Sequence, residues 1–227
     1  PNSPTSLTNN SQGNDTTPTI TGTAEVGSTV KLYEGSRLLG SATAESNGTF
    51  SITSSILSDG SYSLNATATD SAGNTSSSSS NLSITIDTTA PNSPTSLTNN
   101  SQGNDTTPTI TGTAEVGSTV KLYSGSTLLG SATAESNGAF SITSSSLSEG
   151  TYSLTATATD SAGNTSTSSS ALSITVDVTS PIISSFSPAD DATAVATNSN
   201  IVLTFSEVID VETGNFVIYK TSDNSIV

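Results

Sequence analysis

Residues 59–68 read Asp59-Gly60-Ser61-Tyr62-Ser63-Leu64-Asn65-Ala66-Thr67-Ala68. Tyr62, Leu64, Ala66 and Ala68 alternate with Ser63, Asn65 and Thr67, and Thr69 continues the polar series. Successive side chains of a strand point to opposite faces, so this period of two predicts a strand with one face buried and one face wet. Leu82, Ile84 and Ile86 repeat the pattern against Ser83 and Thr85, and shorter runs place Val30 with Leu32, Phe50 with Ile52, and Ile20 near the start. Ser46-Asn47-Gly48 and Ser58-Asp59-Gly60 carry turn chemistry between them. Seven short strands are expected in the first ninety residues.

Outward from this segment, the chain repeats itself. Residues 91–180 match residues 1–90 at all but twelve positions, beginning with thirty identical residues, PNSPTSLTNNSQGNDTTPTITGTAEVGSTV. A 90-residue period is close to the size of one immunoglobulin-type sandwich, about 100 residues, and exceeds the roughly 20 to 50 residues of solenoid units. Each repeat is therefore expected to fold as its own domain, over residues 1–90 and 91–180, with a third, partial module over residues 181–227.

Composition agrees with an all-β reading and removes several chemistries. Ser and Thr make up more than a third of the 227 residues, and these residue types favour strands and turns over helices. With no Cys and no His there is no disulfide framework, thiolate nucleophile, Ser-His-Asp triad or zinc site of the usual kind. Only oxygen-loving metals remain plausible. A net charge of −15 repels phosphate backbones and anionic lipid, so nucleic acid and acidic membranes are poor partners. No apolar run approaches the roughly 20 residues of a membrane span, and no signal peptide opens the chain, so an export signal is expected outside it.

The segment around Tyr62 looks like the penultimate strand of an immunoglobulin-type sandwich with its tyrosine corner. The run T-P-T-I-T-G-T-A-E-x-G-S-T-V, the later A-T-D-S-A-G-N-T-S and the closing I-D-T-T-A-P of the first repeat resemble the bacterial Ig-like repeats of giant surface adhesins. Residues 181–227 break the pattern. Pro181 to Pro188, Asp190-Asp191, Ile201-Val202-Leu203-Thr204-Phe205, Ser206-Glu207 and Thr213-Gly214-Asn215-Phe216 resemble the start of an Ig-like module of S-layer and cell-wall proteins. About half of such a module is present, which reads either as an excerpt of a longer chain or as an unfinished module that accepts a neighbour's strand and builds a filament.

The resemblance implies tandem immunoglobulin-like β-sandwiches, an extracellular location on a bacterial surface, and neighbouring repeats as the partners. The expected function is a structural spacer or stalk of an adhesin or surface layer, not an enzyme. The alternative is an adhesion module for carbohydrate or protein, for which Tyr33, Tyr123 and Tyr219 are the aromatic candidates.

On an antiparallel sandwich the loops sort to two ends. Glu25, Glu45 with Asn47, and Asp70 with Asn74 fall at the leading end, where the chain enters, with Glu115, Glu135, Asn137, Asp160 and Asn164 as their counterparts. Asp15, Asp59 and Asp87 fall at the trailing end, matched by Asp105, Glu149 and Asp177. Head-to-tail joining then brings Asp87 towards Glu115 and Asp160. Like charges crowd only at a cost unless a cation joins them, which suggests calcium on Asp87, Glu115 and Asp160, helped by Asp15 or Asn164. A second site would use Asp177 with Asp190, Asp191 or Glu207. No contiguous EF-hand loop supports this, and turn capping by Asp70 and Asn74 is the plainer account. The linker from Asp87 to Ser96 holds two prolines, a stiff composition. Ser76 to Ser80 is expected to be a mobile loop before the last strand.

Overall fold

A computed structural model of the chain describes residues 1–189, 192–193, 195–196 and 198–209, and these contain strands and no helix. In the first repeat, β1 (Thr5–Asn9), β2 (Thr19–Thr23) and β5 (Thr49–Thr53) form one antiparallel sheet in the order β1-β2-β5. β3 (Thr29–Glu34), β4 (Arg37–Thr43), β6 (Gly60–Thr69) and β7 (Leu82–Ile86) form the other, in the order β4-β3-β6-β7. The expected seven strands are all present.

The alternation is spent as the sequence predicts. Leu64, Ala66 and Ala68 are fully buried, while Ser63 is exposed. Ile20, Val30, Leu32, Phe50, Ile52, Ile84 and Ile86 meet Leu64 and Ala66 from the other strands in one core. Tyr62 closes the corner: its hydroxyl donates to the carbonyl of Ser58 at 2.8 Å, so the ring can lie against the core with its polar tip satisfied. The turn at Ser46-Asn47-Gly48 follows its chemistry, with Gly48 at φ +82° and the Asn47 side chain accepting from the Thr49 amide at 2.9 Å.

The second repeat reproduces this order in β8 (Thr95–Asn99), β9 (Thr109–Thr113), β10 (Thr119–Ser124), β11 (Thr127–Thr133), β12 (Ala139–Thr143), β13 (Gly150–Thr159) and β14 (Leu172–Val176). Its sheets are β12-β9-β8 and β11-β10-β13-β14, and Tyr152 donates to Ser148 at 2.9 Å. Its core, with Ile110, Leu122, Phe140 and Leu154 at the centre, is separate from that of the first repeat.

The contacts divide the chain into Pro1–Asp177, holding both repeats, and Val178–Val227. The break falls slightly ahead of the boundary expected after residue 180. In the second unit, β15 (Ile183–Ser187) pairs antiparallel with β16 (Val202–Phe205). Ile182, Ile183, Phe186, Ile201 and Val202 stay exposed there. Asp190, Asp191, the Thr213 to Phe216 run and Tyr219 lie outside the described residues.

The serine run is a correction. It was expected as a mobile loop, yet it is bonded to the upper half of β6. The Ser76 and Ser79 amides donate to the carbonyls of Ala68 and Ala66, each at 2.8 Å. Their hydroxyls in turn accept from the Ala68 and Ala66 amides, each at 3.0 Å. Serine supplies the acceptor that a partner strand's carbonyl would have supplied, so a non-strand segment finishes the ladder. Ser166 and Ser169 do the same for Ala158 and Ala156.

Replacing Ser79 by Ala leaves the buried Ala66 amide without its acceptor, and such a loss costs about 1–3 kcal/mol. Urea unfolding of the S79A chain is expected to show that loss in the first repeat. The exposed neighbour change S78A is expected to leave the midpoint in place.

Candidate functional site: the junction between the repeats

The most elaborated polar site is built from two turns, one at the end of each repeat. At the leading end of the second repeat, Asp160-Ser161-Ala162-Gly163-Asn164 follows β13. Asp160 Oδ1 accepts from the amides of Gly163 at 2.8 Å and Asn164 at 2.9 Å, and Oδ2 accepts from Asn164 Nδ2 at 2.8 Å. Gly163, at φ +98°, allows the left-handed turn that lets one carboxylate reach all these donors. Burial alone would raise the Asp160 pKa, but the bonds from Asn164, Gly163 and Ala162 outweigh it and hold the group below its ordinary value.

At the trailing end of the first repeat, the loop after β1 is tied to the exit of β7: the Asp87 amide donates to Gly13 O at 3.0 Å. Asp15 folds the same loop, accepting from the amide of Thr17 at 2.8 Å. Bonds from the Ser11 hydroxyl and then Thr17 lower its pKa. Asp59 takes the Thr88 amide at 3.0 Å and the hydroxyls of Thr88 and Thr89 at 2.8 and 3.2 Å. The Thr88 hydroxyl is the main cause of its lowered pKa. These bonds direct the first residues of the linker.

The two turns meet. Asn164 Nδ2 donates to the main-chain carbonyl of Asp87 at 2.8 Å, and the Asn14 amide donates to Ala162 O at 3.1 Å. Gly13 lies against Ala162 so closely that a Cβ at residue 13 would sit 3.0 Å from both Cα and Cβ of Ala162. The duplicated sequence supplies its own control. Asn164 is 9% exposed whereas Asn74, in the identical turn of the first repeat, is exposed. Gly13 and Asn14 are half-buried, while Gly103 and Asn104 are exposed and a Cβ at Gly103 would meet nothing within 4 Å.

The expected site residues are thus partly gathered. Asp87, Asp160 and Asn164 converge, but Asp87 contributes its main-chain carbonyl, while its carboxylate accepts from the Thr89 amide at 3.0 Å. Glu115 lines a groove beside Asn92, Ser93 and Thr95. Asp15 shapes the trailing-end loop, and the Asp177 amide pairs with Gly103 O at 2.9 Å at the end of the second repeat. Glu207 belongs to the second unit, and Asp190 and Asp191 lie outside the described residues. Among the described residues no three carboxylates gather as a metal-holding set. Gly13, Asn14 and Ala162 were not foreseen. The sequence held no signal for them: Gly13 in Ser11-Gln12-Gly13-Asn14-Asp15 reads as an ordinary turn glycine, and only the folded backbone shows that it is not at positive φ.

Each repeat also carries a shallow groove at equivalent positions. One of about 660 Å³ is lined by Asn92, Ser93, Thr95, Thr113, Ala114 and Glu115, and one of about 400 Å³ by Asn2, Ser3, Thr5, Thr23, Ala24 and Glu25.

Residues 2–88 and 90–178 each match the family described as "Bacterial Ig-like domain", and residues 177–227 match a second family of the same description. Similar solved structures include fibronectin(III)-like modules of Clostridium thermocellum CbhA, 22% identical over 75% of this chain and 93% of that one, with a TM-score of 0.48. The BSP domain of a biofilm associated protein is 22% identical over 78% of this chain and 30% of that one, at a TM-score of 0.33. A C-terminal 282-residue fragment of intimin, solved with the intimin-binding domain of its translocated receptor, is 14% identical over 77% and 64%, at 0.38. None of these three reaches a TM-score of 0.5, a likeness too distant to carry function across. No curated protein matches the chain.

Asn164→Ala removes the turn bond and the junction bond, whereas Asn74→Ala removes the turn bond alone. N164A is therefore expected to destabilise by about 1 kcal/mol more than N74A, read by hydrogen exchange of the Ala158 and Ala68 amides. The turns also predict an acid response. Asp70, Asp160, Asp15 and Asp59 have lowered pKa values, so their contribution is present above the unfolded carboxylate value near 3.9. It is lost as pH falls through the lower native values. Carboxyl-carbon NMR is expected to place these four midpoints below 3.9, with junction contacts intact at pH 5.

Proposed function

Because the chain belongs to the bacterial Ig-like domain family over residues 2–88 and 90–178, we propose that it is a structural spacer of a bacterial surface adhesin or surface layer. In this reading the repeats carry no chemistry of their own. They hold distance, and their location is extracellular.

The observation that supports the reading is the latched junction. A spacer transmits reach only if consecutive sandwiches resist bending at their link. Here the link is restrained by Asn164 on the Asp87 carbonyl, by Asn14 on Ala162, and by the close approach of Gly13 to Ala162. The prolines Pro91 and Pro94 restrict the connecting residues further. The latch is assembled from neutral donors and main-chain acceptors, so it needs no cation. Calcium at the junction is a separate contribution that the same experiment reads.

A second reading, a module that binds carbohydrate or protein, draws on the paired grooves beside Glu25 and Glu115. Their linings hold hydroxyls, an amide and one carboxylate but no aromatic ring, the usual anchor of a sugar or protein contact. The spacer reading is preferred on that ground.

Residual dipolar couplings of the full chain, in chelator, are expected to fit one alignment tensor for residues 5–86 and 95–176 together. Gly13→Val places methyls where Ala162 stands and is expected to split the tensor in two, while Gly103→Val, with open space around it, leaves one. Independent orientation in the unmodified chain at every calcium level would remove the support for a spacer. A common tensor seen only with millimolar calcium would assign the stiffness to the metal.

A further inference from the structure

Tension on a repeat enters at its first strand and leaves at its last. In the second repeat these are β8 and β14, which belong to different sheets, so the load crosses the sandwich between them. The two anchors are unequal. β14 pairs with β13 in an unbroken register, from Val176 opposite Gly150 to Leu172 opposite Leu154, and its Ile174 and Val176 are buried in the core. β8 pairs with β9 through Thr95 opposite Thr113, Thr98 opposite Thr111 and Asn99 opposite Ile110, and its register breaks between Thr95 and Thr98. Ser96 lies in that break at φ +56°, the left-handed region that a residue with a Cβ enters at a cost. A bulge disrupts the ladder locally, so less of β8 resists a pull along its length. Leu97, the one apolar side chain of this strand, is half-buried against the core. Hydroxyl pairs of Thr95 with Thr113 at 2.9 Å and Ser93 with Thr167 at 2.7 Å, and buried Pro94, add to the attachment.

The rest of the sandwich does not hang on β8. β9 is the middle strand of its sheet and keeps β12 on its other side, paired without a break from Thr113 opposite Ala139 to Thr109 opposite Thr143. Just ahead of β9, Thr106 O accepts from the Leu147 amide at 2.7 Å and Pro108 O from the Ser144 amide at 3.0 Å. Pro108 and Leu147 are buried, so this point is held by packing as well. A peeling β8 therefore takes with it the loop that follows, breaking the bond from the Asp177 amide to Gly103 O at 2.9 Å, and stops at Thr106.

We propose that β8 is a releasable strand: under tension it leaves β9 first, and the repeat lengthens while the rest of its sandwich stays folded. It is a local unit of low stability placed where the load enters. The first repeat has the same break between Thr5 and Thr8, with Ser6 at φ +56°. Release of residues 95–105 frees roughly 35–40 Å of chain at about 3.3–3.6 Å per residue, in place of a folded strand of about 17 Å. Each event thus adds on the order of 20 Å. The use of that length, in a stalk that yields before its cores unfold, rests on the spacer reading.

The chain has no cysteine, so a pair of introduced cysteines sets the points of load. Ala90→Cys and Val178→Cys, both at exposed positions, carry DNA handles in an optical trap and load the second repeat within the full chain. Slow pulling is expected to give a first step of about 20 Å that closes again on relaxation. Unfolding of residues 106–177 follows at higher force, with a step of roughly 200 Å or more. Thr107→Cys with Val178→Cys is the second pair, also on exposed positions, and it applies the load past β8. With it the short step is expected to vanish while the long one remains. A single step from the first pair overturns the proposal. A short step that persists with the second pair assigns the release to β14 and overturns it as well. Either failure leaves the common alignment tensor, and the spacer reading, untouched, whereas independent orientation of the repeats removes that reading without changing the order of the steps.

Discussion

Everything in the two repeats depends on how closely two thin sheets approach. The inward row of β6 is Leu64, Ala66 and Ala68, so two of its three buried side chains are methyl groups. Opposite sheets reach one another because glycine sits where a larger side chain fills the gap. A Cβ on Gly40 of β4 would lie 2.8 Å from Ile52 Cγ2 in the opposite sheet, and within the β1-β2-β5 sheet a Cβ on Gly22 would lie 2.7 Å from Cζ of its cross-strand partner Phe50. Gly112 and Gly130 hold the same places against Phe140 and Ile142. Small and large residues are paired across the interior, so few bulky side chains suffice to exclude water.

That economy explains the unusual composition. Where the core is thin, a larger share of order comes from hydrogen bonds, and hydroxyls make them cheaply at short range. Ser79 and Ser169 sit beside the core and complete main-chain ladders. On the wet face, cross-strand hydroxyl pairs such as Thr5 with Thr23 and Thr19 with Thr53 stand opposite one another at 2.9 and 3.2 Å. The abundance of Ser and Thr is thus part of the fold and not a sign of disorder.

The junction uses the same economy. Asn164 reads a main-chain carbonyl, which every residue possesses, and Gly13 admits the neighbouring turn because it has no side chain. Recognition between repeats therefore relies on shape and backbone. Carboxylates that might have crowded the link are occupied in their own turns, Asp160 with Asn164 and Asp87 with Thr89, which spreads their charge over several donors.

The sequence alone determined the strands, their buried faces, the tyrosine corner and the 90-residue unit, because each rests on local periodicity or turn chemistry that a linear reading can count. It also sorted the loops correctly enough to bring Asp87 near Asp160 and Asn164. It did not reveal that Ser76 and Ser79 act as ladder partners, that Asp87 offers its carbonyl in place of its carboxylate, or that Gly13 and Ala162 touch. Those are contacts between residues far apart in sequence, and identical letters such as Asn74 and Asn164 have different surroundings. Only the tertiary structure decides which copy is covered, since burial depends on the neighbour that folding brings and not on the residue itself.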